Sequence, residues 1–279
     1  MITRRGFAGA LLAAAARPAE LPRVDYHVHL DERITLEAAL EISRRRGVRF
    51  GIVEHAGRPE LGYRGMLSRD EDLRRYLDLL AGKPVYRGIQ AEGLDWTECF
   101  SPGLVAELDY VLTDALTVPR RVLSGDPREE TPLIKLWTPA AKSIEDPQGF
   151  MDRYAEFHVE VMRREPIDIL ANPTFLPAAL EKDHAALWTR PRMEKIIEAA
   201  RRYQVAIEIN TRYRLPSETF LRLARKAGVK FSFGSNIHGP DVGRLDYALE
   251  MAEKLGLGPS DLFAPAPPGA KPIQRRAQA

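Results

Sequence analysis

Val24-Asp25-Tyr26-His27-Val28-His29-Leu30 is a short apolar run carrying two histidines two residues apart. In a β-strand successive side chains point to opposite faces, so His27 and His29 share one face, roughly 7 Å apart along the strand. Two neutral imidazoles held in that way can grip one metal ion. An isolated His-x-His is more often a pair of half-buried histidines, so the weight falls on what the remaining strands offer.

Downstream, residues 49–55 read as a buried strand ending in Glu54 and His55, and residues 85–92 as a third strand with Glu92 at its end. Residues 108–114 form a fourth, ending in Asp114. Residues 167–173 form a fifth, stopped by Pro173 after Asn172. The sixth, 205–210, carries Glu208 and Asn210, and the seventh, 229–238, carries Asn236 and His238. Helical patterns separate them. The first has Thr35 as N-cap and Gly47 as a stop; the others cover 68–80, 146–165, 191–203, 217–226 and 241–255. Residues 117–143, with Arg120, Arg121 and Lys135, form a long connection without period, the kind that often serves function.

Seven short apolar strands alternating with helices call for parallel pairing and right-handed crossovers. The expected fold is therefore α/β, a distorted (β/α)7 TIM-like barrel. Functional residues of such barrels lie at the C-terminal ends of the strands. Here those ends carry His27, His29, Glu54, His55, Glu92, Asp114, Asn172, Glu208, Asn210, Asn236 and His238, leaving His158 and His184 elsewhere. Four of six histidines at strand ends point to one metal centre at the barrel mouth.

The 279 residues, 44% hydrophobic and 29% charged, suit one globular domain with a sizeable core. A formal net charge of +2, with both signs interspersed, argues against a nucleic-acid surface and for a small-molecule substrate. Cys99 is the sole cysteine, which rules out an internal disulfide and thiolate metal motifs. Residues 1–20 begin with Arg4-Arg5 and continue into an alanine-rich, mildly apolar run, a signal-peptide layout too short to span a bilayer. The Arg4-Arg5-Gly6-Phe7 segment resembles a twin-arginine export signal, which implies a periplasmic protein without stable membrane association after cleavage. Residues 21–263 are the expected barrel, and the Pro/Ala-rich residues 264–279 an expected disordered tail.

Taken in order, five segments resemble the PHP superfamily, the polymerase-and-histidinol-phosphatase metal-dependent hydrolases. They are Asp25-Tyr26-His27-Val28-His29, Glu54-His55, residues 88–92 ending in Glu92, Asp168 to Thr174, and Gly234-Ser235-Asn236-Ile237-His238. The resemblance spans roughly residues 23–258. It implies a barrel that holds zinc, manganese or iron and hydrolyses phosphate esters. Carried onto this chain, His27, His29, Glu92 and Asn236 would hold one ion, His55 and His238 would help hold another, and Glu92 would bridge. Asn172 stands where the family has histidine and Asn236 where it has aspartate. Near Asp114-Ala115-Leu116, where the family commonly has another histidine, there is none, so one or two ions are expected rather than three. A neutral amide is the poorer ligand for a transition metal.

The chemistry expected is attack on phosphorus by a metal-bound water, with Glu92, Asp114 and Arg212 taking part. Arg212, Arg214 and Lys135 are candidates to bind the substrate phosphate. Two alternatives stay open: C–N or C–O hydrolysis on an amidohydrolase-type barrel, and a PHP-like binding module whose asparagines mark lost catalysis.

Overall fold

The computed structural model describes residues 20–276. Seven parallel strands pair side by side in chain order, β1 (Val24–Val28), β2 (Arg49–Ala56), β3 (Tyr86–Ala91), β4 (Tyr110–Thr113), β5 (Ile169–Leu170), β6 (Ala206–Asn210) and β7 (Phe231–Gly234). Just past β7, Asn236 N–H donates to His27 O at 3.1 Å and Ser235 N–H to the Asp25 carboxylate at 2.8 Å. The sheet thus curls into a nearly closed, TIM-like barrel.

Local chemistry sets the helices between strands. Thr35 Oγ1 accepts the Ala38 N–H at 3.3 Å to start helix Leu36–Arg46, and Gly47, at φ 62°, ends it in the left-handed region where glycine carries no Cβ penalty. Asp146 caps helix Pro147–Arg164 and Ser217 caps helix Glu218–Lys226 in the same manner. Helices Asp70–Leu80, Arg190–Tyr203 and Asp246–Leu255 complete the outer layer. The long connection without period folds an antiparallel hairpin, Thr117–Pro119 against Leu133–Lys135. No helix among the described residues is long and apolar enough to cross a membrane.

The barrel interior changes character along its axis. At the bottom, Tyr26, Val53, Tyr110, Leu112, Ile169, Ala171 and Ala206 pack as an apolar plug. Tyr110 fills the axis because Gly51 and Gly88 leave it room. A Cβ on Gly51 would lie 2.3 Å from the Tyr110 hydroxyl oxygen, and one on Gly88 2.4 Å from its Cζ. Two residues higher on β2, β3, β4 and β6 the inward row turns polar, with His55, Gln90, Asp114 and Glu208. In β1 the register shifts between Asp25 and Val28, so Tyr26 and His27 both join the interior.

The stretch from residue 264, expected to be disordered, is anchored at a few points and ends in a short helix. Phe263 meets the Tyr26 ring edge-on at 5.1 Å, Lys271 Nζ donates to Ala106 O at 2.7 Å and also to Leu108 O, and helix Pro272–Arg276 follows. Composition hides this because the few anchoring groups, Lys271 and Ile273, are diluted among prolines and alanines. The signal-peptide region, residues 1–19, lies outside the described residues.

Candidate functional site

The ends of the strands enclose a cavity of about 240 Å³ lined by His29, His55, Gln90, Asp114, Asn172, Arg212, Asn236 and His238, with Tyr63, Leu116, Trp137 and Tyr213 at its wall. His27 lies just beneath, fully buried. Its Nδ1 is 2.7 Å from Glu208 Oε1 and its Nε2 is 3.0 Å from Gln90 Oε1. The Gln90 amide nitrogen donates to Glu92 at 2.9 Å and to Asp114 at 3.1 Å. With the Gln90 amide nitrogen turned to Glu92 and Asp114, its oxygen faces His27 and can accept from it. Both ring partners, Glu208 and Gln90, thus favour the imidazolium form of His27. Burial opposes that charge, but the Glu208 carboxylate outweighs burial and raises the His27 pKa, and Glu208 is in turn lowered against its own burial by His27.

Glu208 is a hub as well. Its second oxygen accepts from the Asn172 backbone N–H at 3.0 Å and from Asn210 Nδ2 at 2.9 Å. Asn172 and Asn236 both adopt φ 47°, a left-handed conformation that asparagine tolerates better than most residues. The side-chain oxygen and nitrogen of Asn172 are buried without a hydrogen-bond partner. Such orphaned groups are costly and call for an explanation, and here they sit in the wall of a cavity.

Above His27 the remaining histidines form a stack. His29 lies between His55, 4.8 Å away with ring planes 19° apart, and His238, 5.6 Å away at 11°. Burial, then the neighbouring histidines, hold the His29 pKa well below the ordinary value, so it is neutral. His55 Nδ1 is 2.7 Å from Glu92, and His238 Nδ1 is 3.0 Å from Asp31. Glu92 also accepts from the Thr117 hydroxyl at 3.0 Å. Asp114 is the one cavity carboxylate pushed up to about 8, by burial first and by Glu92 second.

In kind these residues fit a divalent metal ion. Imidazoles that bind metals are commonly oriented by a carboxylate on the other ring nitrogen. His27, His55 and His238 all have such a carboxylate. In arrangement they do not converge, because parallel rings aim their in-plane lone pairs side by side and the His27 imidazolium has none to give. Accordingly, among the described residues no three His, Cys, Asp or Glu side chains are grouped to hold a metal ion.

Of the three expected phosphate-binding cations, only Arg212 reaches the cavity. Its guanidinium donates to Asn236 O at 3.3 Å and, among the described residues, has no carboxylate partner. Arg214 turns outward to Glu250 at 3.2 Å and stacks on Tyr247, held there by its own left-handed backbone at φ 53°. Lys135 stands behind Tyr63, its ammonium 3.6 Å from the ring centroid. Glu54 points to the opposite face of β2, into a separate groove with Leu30 and Tyr76, where burial pushes its pKa up to about 7. Gln90, Asp31, Tyr63 and Trp137 belong to the site although no ligand-type pattern marked them. For Gln90, its place two residues before Glu92 on one strand face was the available signal.

No family model matches the chain, and no curated protein matches it. Among solved structures it is similar to a chain in the cryo-EM structure of archaeal ribonuclease P with mature tRNA. The identity is 13%, over 85% of this chain and 84% of that one, with a TM-score of 0.41, too loose a likeness to bear on function.

Proposed function

We propose that the chain is a metal-dependent hydrolase of the PHP type acting on phosphate esters. What supports this is one feature of the site, the fastening of three of its four histidines to buried or half-buried carboxylates. His29, His55, His238 and Glu92 are of the kind that would hold the ion, although their rings do not converge in the arrangement described; bound, it would supply a Lewis acid and a water acidified to a pKa of about 7. Arg212, free of any carboxylate, binds the phosphate by bidentate hydrogen bonds. Hydrolysis would bond a water oxygen to phosphorus as the ester P–O bond breaks, the attacking water releasing a proton and the leaving oxygen taking one up. Asp114, whose pKa burial pushes up to about 8, lines the cavity and would give the leaving oxygen its proton. Gln90 fixes that carboxyl relative to His27.

One observation favours a second reading, binding without catalysis: His27, with both nitrogens committed, is unable to ligate in the arrangement described. Metal analysis of the purified protein, before and after reconstitution with zinc, manganese or iron, separates the two. One or two ions per chain together with phosphate-ester turnover abolished by chelation support the hydrolase. Less than a tenth of an ion per chain after reconstitution, with no turnover of phosphoester or amide substrates, would leave the binding module.

A further inference from the structure

Lys135, outside the cavity wall, belongs to a second groove. The hairpin Thr117–Pro119 against Leu133–Lys135 stands off from the loops that follow β2 and β3, and about 660 Å³ opens between them. That volume falls within the roughly 300–1,000 Å³ of small-molecule sites. Leu61, Leu94, Pro119, Pro132 and Leu133 give the groove an apolar surface. Most of its charges are already spent on partners: Arg58 on Glu98 at 2.7 Å, Arg164 on Asp95 at 2.6 Å and Glu130 on Arg121 at 2.8 Å. Glu60 and Lys135 are left. Glu60 is exposed, where water and salt screen it. Lys135 is half-buried, and among the described residues no carboxylate pairs with it.

Tyr63 divides this groove from the cavity. His55 stacks on one face of its ring with centroids 4.0 Å apart, and the Lys135 ammonium is 3.6 Å from the Tyr63 centroid. An approach that short in the plane of the ring would collide with its edge, so the ammonium lies over the other face. A ring face attracts a cation without occupying its N–H groups as an oxygen does, and Lys carries three of them. One unpaired cation above an apolar floor matches a ligand with one negative charge and an apolar tail. A dianion would set its second charge beside Glu60, Asp95 and Glu130.

We propose that the groove is a second ligand site, which takes a small aliphatic carboxylate with its head group on Lys135 and its tail on Leu94, Pro119 and Leu133. No metal ion takes part, and the site stands apart from the phosphoesterase reading.

The test is calorimetric titration of chelator-treated protein with butanoate, hexanoate, octanoate and the neutral hexanamide. Hexanoate should bind about 3- to 10-fold more tightly than hexanamide, the worth of one partly screened charged contact. Affinity should rise by up to about fourfold for each methylene added to the acid. Lys135→Gln should erase the preference for acid over amide and keep the chain-length trend. Leu133→Ser should shrink the trend and keep the preference, with circular dichroism confirming that both variants fold. Arg212→Gln should change neither, because Arg212 lines the cavity on the far side of Tyr63. Octanoate that fails to bind at millimolar concentration, equal affinities for hexanoate and hexanamide, or a preference that survives Lys135→Gln overturns the proposal. So does a trend untouched by Leu133→Ser, and so does binding lost with Arg212→Gln, which would put the acid in the cavity instead.

Discussion

Glu208→Gln keeps the shape of the side chain and removes the charge on which the buried His27 imidazolium depends. The carboxylate accepts three hydrogen bonds, from His27 Nδ1 at 2.7 Å, the Asn172 N–H at 3.0 Å and Asn210 Nδ2 at 2.9 Å. Glutamine has one carbonyl oxygen and one NH2 group. While His27 keeps both ring protons, either turn of the amide sets N–H against N–H, at His27 or at the two asparagines, so the variant satisfies its hydrogen bonds only by giving up the charge on His27. Breaking a buried ion pair by removing one partner costs about 3–5 kcal/mol. At about 2–4 °C per kcal/mol for a domain of this size, the melting temperature should fall by roughly 10 °C.

The assay is thermal and urea unfolding of chelator-treated protein, followed by circular dichroism across pH. Because Glu208 raises the His27 pKa, His27's share of stability is fully present below its ordinary 6.5 and is lost as pH rises through the raised folded value. Glu208 is lowered, so its share is present above its ordinary 4.5 and is lost as pH falls through the folded value. The gap between parent and variant should therefore be widest between about pH 4.5 and 6.5 and narrow on either side. A gap below about 1 kcal/mol at pH 6, the worth of an ordinary hydrogen bond, or one unchanged from pH 5 to 9, would refute the charged assignment of His27.

Gly88→Ala drives a methyl group to 2.4 Å from Tyr110 Cζ and should destabilise the barrel by about 1–3 kcal/mol or more, read as a lower urea midpoint; the double variant with Tyr110→Leu should recover part of the loss. Asn172→Gly removes an amide that has no partner and keeps a residue at ease at φ 47°, so chelator-treated protein should melt no lower than the parent while binding of inorganic phosphate weakens. A drop in melting temperature of several degrees would mean the amide is structural. Asn236→Asp places an anionic oxygen in the cavity wall and should tighten metal binding in an equilibrium competition with a chromogenic chelator; weaker binding would argue that the amide contacts substrate. Replacing Arg4 and Arg5 by lysine should hold the precursor in the cytoplasm, checked by cell fractionation, with undiminished periplasmic product as the contrary result.

Period-2 alternation made the barrel legible, since each inward row runs from apolar to polar toward the C-terminal end of its strand. That is why His29, His55, Asp114, Asn172, Asn236 and His238 all line one cavity, as their places at strand ends implied. Gln90 escaped because an amide is not a ligand type, and only coordinates reveal that it joins His27, Glu92 and Asp114. Loops carry no period to read, so Tyr63, Trp137 and Asp31 were invisible, and Arg214 and Lys135 were judged by charge alone. The protonation of His27 was beyond reach for the same reason. It follows from partners 63 and 181 positions away.

The barrel closes between its first strand and its last, through partners as far apart as Asp25 and Ser235, 210 positions along the chain. A ribosome delivers β1 at the outset and β7 near the end. Throughout that interval β1 has a bare edge, and Asp25 and His27 stay hydrated instead of meeting the groups that later bury them. No fragment that stops short of Asn236 closes the ring or completes the cavity. Partial products of this chain therefore lack the enclosed cavity, which is complete only near the end of synthesis.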